Sequence, residues 1–392
     1  MSDPVAWSFA VGGEMTEQLE WETDALGAET GPEQSRRLRA FPRILLRFDG
    51  LETGARRRWL EAQLRSAGAG QWFVPLAIDA RQLAVAALAG SDTLTTDTGF
   101  PRFAEGGHAL LQGEDPRDAE VVEIQSVLDG ALGLVGETLR DWPAGTRISP
   151  VRLGRLANAL GLSRFTADDT GVYQVQFRLD EPVEQAPDAG TATYRSYPVL
   201  EWRPVWTSDP TWSADRALVT MDEGVAPVFV FDPVGQARDR VALQFALEDL
   251  VQIHAFRGLL YALGGRWAPI WVPSWTQDLR VVANVSNGAT VIDVDGPLLS
   301  SMPLASNRRD LRIELVDGTV LYRRVTAVAA QTLTSDRLTL DAPIATGFSV
   351  AAVAMVSFLV LSRQDSDVNV LRYFNWQTAQ CELTFKGEVH AL

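Results

Sequence analysis

The side chains able to do covalent or metal chemistry are few. One cysteine, Cys381, and three histidines, His108, His254 and His390, are scattered over 392 residues. That excludes an internal disulfide framework and a Cys-rich zinc or iron–sulfur site. No G-x-S-x-G elbow, no G-x-x-x-x-G-K-S/T phosphate loop and no H-E-x-x-H pair occurs. Cys381 stands in an apolar–polar alternation that places its thiol in a core, without the neighbouring cation that would activate it. His254 lies beside a helical apolar stripe and reads as a rim residue bonded locally. The sequence therefore assigns no catalytic residue, no cofactor-binding residue and no metal ligand, and the chain is expected not to be an enzyme.

Carboxylates are plentiful, and glycoside hydrolysis needs only two of them, roughly 5–9 Å apart. Glu14, Glu17, Glu20, Glu22 and Asp24 form an acidic run, while Asp168–Asp169 and Asp293/Asp295 form pairs. The run reads as a solvated face and the pairs as turn residues. Residues 293–296 (DVDG) start like a calcium loop but lack the acid its twelfth position requires. Twelve tryptophans invite sugar stacking, yet Trp72, Trp267 and Trp271 recur at one helix–strand junction, as packing would demand. Trp202, Trp206 and Trp212 look similarly placed to Trp7 and Trp21. Core and subunit contact is the expected role, with glycan binding or cleavage the alternative.

One cluster opposes the acidic background: Arg36, Arg37, Arg39, Arg43 and Arg47, then Arg56, Arg57 and Arg58. A basic stripe of this kind can meet an acidic face on a neighbour, setting register and speeding encounter. The candidate subunit interface is Arg36, Arg37, Arg39 and Arg43 against Glu17, Glu20 and Trp21. The overall balance of 35 Lys and Arg against 50 Asp and Glu gives −15. That argues against a nucleic-acid clamp, which needs a basic footprint. The longest apolar stretch, residues 348–361, is shorter than the ~20 residues of a spanning helix and reads as buried strand. Residues 1–10 lack the features of a signal peptide. No membrane span is expected, and the protein reads as soluble in a reducing compartment.

The elements that must position these residues are written twice. Residues 70–83 (GQWFVPLAIDARQL) match residues 265–279 (GRWAPIWVPSWTQDL), and the flanking stretches agree in order. Residues 119–156 parallel residues 320–361 in their succession of strands and turns. The chain is read as a tandem duplication: a first repeat over 1–182 with a β-rich block at about 75–158, a linker at 183–201, and a second repeat over 202–392 with a β-rich block at about 273–363. The linker follows from the aperiodic, Pro-containing stretch 181–194.

Each repeat should open with a strand, in which Ile44, Leu46 and Phe48 alternate with Arg43, Leu45 and Arg47; residues 226–231 are the expected counterpart. A helix follows, with Ala55, Trp59, Leu60 and Leu64 inward, ending at Gly68 and Gly70. In the second repeat the inward residues are Ile253, Phe256, Leu260 and Leu263, ending at Gly264. Closing strands alternate Tyr173, Val175, Phe177 and Leu179, then Cys381, Leu383 and Phe385. The fold class is mainly β, with β-sandwich or split-barrel domains, one helix per half and a β-rich insertion in each.

The runs TEQLEWETDAL (16–26), GPEQSRRLRAFPRILLRFDGL (31–51), WFVPLAIDARQL (72–83) and RDLRIELVDGTVLYRRVTAV (309–328) resemble the distal-tail or baseplate proteins of long-tailed bacteriophages. The resemblance implies a virion part at the tail tip, assembled in the host bacterial cytoplasm. It would be a ring joining the tail tube to the receptor-binding apparatus, touching tube, tape measure and other baseplate proteins. It brings no catalytic residues and no cofactor. This sequence departs from the simplest pattern by carrying two copies of the unit, the second without the arginine cluster. Self-association as a hexamer is one expectation. A threefold hub with pseudo-sixfold symmetry, three chains supplying six units, is the alternative.

Overall fold

A computed structural model describes residues 4–9, 14–28, 31–67, 70–157, 161–164, 169–206, 211–225, 227–296, 299–301, 305 and 307–389. The first repeat contains β1 (Met15–Glu20), β2 (Arg43–Thr53), α1 (Gly54–Ala67), β3 (Trp72–Pro75), β4 (Arg147–Leu156), β5 (Gly161–Arg164) and β6 (Thr170–Leu179). The second contains β7 (Thr211–Asp215), β8 (Arg238–Leu247), α2 (Leu250–Leu263), β9 (Ile270–Pro273), β10 (Val353–Gln364), β11 (Val368–Tyr373) and β12 (Ala379–Gly387). The fold is mainly β, with one 14-residue α-helix in each half among the described residues.

Period-two alternation sets which side of each strand is buried. Tyr173, Val175 and Phe177 on β6 and Cys381, Leu383 and Phe385 on β12 point into the core, as expected. β2 runs antiparallel to β6, and β8 runs antiparallel to β12. The expected counterpart of β2 is corrected. The short strand Phe229–Phe231 forms an exposed hairpin with Val219–Met221, and Ala226 lies outside the described residues. A turn explains this: the Asp232 carboxylate accepts the Gly235 N–H and ends the run. β8 takes the place instead, because Leu243, Phe245 and Leu247 alternate inward and lead directly into a helix cap. There Asp249 accepts the N–H of Gln252, and Gly264, at φ 58°, closes α2 in the left-handed conformation. On α1 the inward residues are Leu60, Leu64 and Ala67, while Ala55 and Trp59 are exposed. Gly68 lies outside the described residues.

The two repeats share register as well as order. Gly154 on β4 pairs with Trp72 of β3 and with Leu179 of β6. Ser362 on β10 pairs with Ile270 of β9 and with Gly387 of β12. The inserted blocks agree too. In the first, His108–Gln112 joins β4 to Ala119–Leu128, which turns into Ala131–Leu134, itself paired with Thr93–Thr95. In the second, Asp310–Leu315 joins β10 to Val320–Thr332, which turns into Ser335–Ile344, itself paired with Ala289–Asp295. Each block has its own apolar cluster, while the central cluster draws on both repeats.

Strand pairing joins the repeats. β1 lies between β2 of its own repeat and β11 of the other, antiparallel to both. The connecting stretch is held down rather than loose: the Val183 carbonyl accepts the Tyr261 hydroxyl, and the Asp188 N–H reaches the Gly258 carbonyl. Among the described residues no helix is long and apolar enough to cross a membrane. The apolar stretch 348–361 runs mostly along β10.

Candidate functional site at the seam between the repeats

Where β1 meets β11, alternation puts Met15, Glu17 and Leu19 on the same buried side. Glu17 is thus carried into the core with a charge that must be answered. Arg102 Nη1 donates to Glu17 Oε1 at 2.8 Å, and Arg257 Nη2 and the Tyr373 hydroxyl donate to Glu17 Oε2 at 2.5 and 2.6 Å. Asp79, on the 3₁₀ turn Ala77–Asp79, accepts from Arg102 Nε at 2.6 Å and from Arg257 Nη1 at 3.3 Å. His254, one turn before Arg257 on α2, places Nε2 3.4 Å from Asp79 Oδ1 and its ring against Phe100. Two carboxylates and two guanidiniums therefore share one buried cluster, with acids from the first repeat and Arg257 from the second.

The electrostatics follow from that exchange. Burial pushes Glu17 up, but the adjacent Arg102 and Arg257 and the Tyr373 hydroxyl more than reverse it, holding the carboxyl at about 2. Asp79 is burdened by burial in the same way and is likewise held far below the ordinary carboxylate range by the two arginines. Such acids stay ionised and saturated with donors; neither is poised to give or take a proton near neutrality. The arrangement binds the repeats together.

The sequence-derived interface residues fall on this seam and beside it. Glu17 and Trp21 are buried inside the chain, Trp21 edge-on to Tyr261 of α2 at 5.2 Å. Glu20 is half-buried, faces Arg43 across β1–β2 and accepts from Gln18. Arg36 faces Asp24 across the hairpin Thr23–Gly27/Glu33–Arg37. Arg37 lies over the rings of Trp21 and Trp267, at 4.9 and 5.4 Å, and donates to the Arg39 carbonyl. Arg39 pairs with Glu22 at 2.5 Å. Arg36, Arg39 and Arg43 of the stripe thus face Asp24, Glu22 and Glu20 of the acidic run within the chain.

The other candidates separate. Cys381 is buried and its thiol is pushed up to about 12 by burial and Glu382. Asp169 is engaged by Arg57 and Arg58, and Asp293 by Arg337; Asp168 and His390 lie outside the described residues. Among the described residues no group of three or more His, Cys, Asp or Glu could hold a metal ion. Trp7, Trp72 and Trp271 are core, whereas Trp267 is exposed, because Ile270 and not Trp267 occupies the position of Trp72. Trp206 and Trp212 are exposed and line a cleft of about 360 Å³ with Asp239, Asp278, Arg308 and Phe358. Arg308 reaches Asp278 at 3.3 Å and lies over Trp212 and Phe358. Burial pushes the Asp239 carboxyl up. Asp79, Arg102 and Arg257 were missed in the sequence, although an arginine amid the apolar face of a helix was a visible signal.

No family model matches the chain, and no curated protein is similar to it.

Proposed function

We propose that the chain is a structural component of a long-tailed bacteriophage tail tip, building a ring that joins the tail tube to the receptor-binding apparatus. Its partners are further copies of itself, the tube, the tape measure and other baseplate proteins. The observation that carries this reading is the edge-to-edge joining of two like units through β11 and β1. A unit that adds to its own likeness side by side is the element from which rings are made. The charged groups at the seam support the same reading, because Arg257 and Tyr373 of the second repeat are spent on Glu17 and Asp79 of the first. Two units per chain favour, as a second reading, a threefold hub in which three chains present six units.

Light scattering after size exclusion, combined with electron microscopy of the purified full chain, tests this. A particle of three or six chain masses with an open centre is the expected result. A monomer of 42.9 kDa that binds oligosaccharide would overturn it in favour of a glycan-binding protein.

A further inference from the structure

We propose that copies of this chain join head to tail. The open edge of β5 in one copy adds to the open edge of β7 in the next, and α1 of the first copy covers the cleft of the second. The proposal rests on the ring reading above and names the surfaces that would close it.

Register identifies the edges. With Gly154 and Ser362 equivalent, so are Leu179 and Gly387. Stepping back along β6 and β12 then matches Gln176 to Thr384 and Tyr173 to Cys381. Arg47 faces Gln176 on one side and Thr16 on the other; Ala242 faces Thr384 and Thr211. β7 is therefore the counterpart of β1. Leu162 faces Tyr173 as Leu371 faces Cys381, so β5 is the counterpart of β11. Within the chain, β11 and β1 are joined, with Leu371 opposite Glu17 and Arg372 opposite Thr16. Their counterparts each pair on one side only among the described residues. Transferring the internal register sets Leu162 opposite Trp212 and Ser163 opposite Thr211. Exposed strand edges offer N–H and C=O groups ready for such addition.

The helices give an independent argument. α2 presents His254, Arg257 and Tyr261 to the first repeat, where they meet Asp79, Glu17 and Trp21. Aligned by their ends, α1 sets Leu60 and Leu64 where α2 has Phe256 and Leu260, both pairs packed inward. It then sets Arg58, Glu61 and Arg65 in the places of His254, Arg257 and Tyr261. Arg58 and Arg65 face solvent. What α2 covers in the first repeat is open in the second: Glu17 is buried, while its counterpart Trp212 is 54% exposed on the cleft wall. The charges suit each other. Arg58 and Arg65 stand on the exposed face of α1, and the cleft offers Asp239 beside the Asp278–Arg308 pair. Because the two surfaces differ, the contact is heterologous and repeats until it closes.

The test is disulfide trapping in the full chain, whose native Cys381 is buried. Facing Cα atoms of an antiparallel pair lie about 4.5–5.5 Å apart, within disulfide range. Ser163→Cys/Thr211→Cys should give linked dimers and larger species under oxidation. Ser163→Cys/Asp215→Cys, displaced by roughly 13 Å along the strand, should link at least tenfold less. Arg58→Glu/Arg65→Glu should weaken association at least tenfold by light scattering. Linking no greater than the displaced control overturns the proposal. If the unmodified chain is then still a ring by microscopy, only these edges are wrong. Efficient linking without a ring in the microscope keeps the edges and sinks the tail-ring reading.

Discussion

Arg257 is fully buried and balances Glu17 and Asp79 at once. Arg257→Met removes one of the two guanidiniums that balance the two carboxylates, and breaking a buried ionic cluster in this way costs about 3–5 kcal/mol. The expected outcome is a matching loss in urea unfolding at pH 7; an unchanged midpoint would contradict the role given to the cluster. The same geometry fixes an acid dependence. Glu17 is held at about 2 in the fold, against about 4.3 in the unfolded chain. A carboxyl depressed by folding stabilises above its unfolded value, and that contribution drains away as pH falls through its folded value. Stability should thus decline between about pH 4.5 and pH 2, and Glu17→Gln should flatten the decline, as read from urea midpoints at pH 5 and pH 3. In sequence, Glu17 belonged to an acidic run and looked solvated. The sign against that was its parity with Met15 and Leu19, but its cations, Arg102 and Arg257, lie far along the chain and only the fold brings them near.

At the scale of elements, equivalent strands differ in what surrounds them. β1 is flanked by β2 and β11, and Leu19 is fully buried there. Its counterpart on β7 is Ala214, which is exposed. Leu19→Asp places an unpaired carboxylate in the central core and should cost several kcal/mol, abolishing folding or nearly so. Ala214→Asp should change the unfolding free energy of the isolated chain, read from urea titration, by less than about 0.5 kcal/mol. Equal losses from both would mean that β7 is not an edge. A second element-level constraint is Gly50 on β2, where a Cβ would come within 2.3 Å of the Tyr173 ring. Gly50→Ala should destabilise by about 1–3 kcal/mol through overpacking, measured in the same way. Strand alternation, both helices and the succession of strands in the inserted blocks were legible because period and turn chemistry are local. The counterpart of β2 was misplaced because the apolar run at 226–231 reads as a strand in sequence without revealing whether anything covers it. The helix faces show the same limit. Trp59 reads as core by type, but the inward row is set by Leu60, Leu64 and Ala67.

Across the whole molecule the apolar clusters divide unevenly. The central cluster mixes both repeats, from Trp7 and Leu60 to Phe256 and Phe385, so neither repeat keeps an intact core without the other. The inserted blocks are different: residues such as Leu94 and Ile124 form one separate cluster, and Ile292 and Leu338 another. Contact within a cluster couples stability, and separate clusters open as separate units. Leu338→Ala removes a fully buried side chain from the second block and should cost that block about 2–5 kcal/mol. Amide exchange followed by mass spectrometry should then speed up in the strands Ala289–Asp295, Val320–Thr332 and Ser335–Ile344. Protection of β1 and β11 should stay as it was, since their ladder is anchored by the central cluster and by Glu17, Tyr373 and Arg257. A rise of equal size throughout would mean that the blocks and the body unfold as one. The predicted contrast fits the part such a chain would play in a ring: a stiff body continuous across the seam, with blocks able to adjust to their neighbours without loosening it.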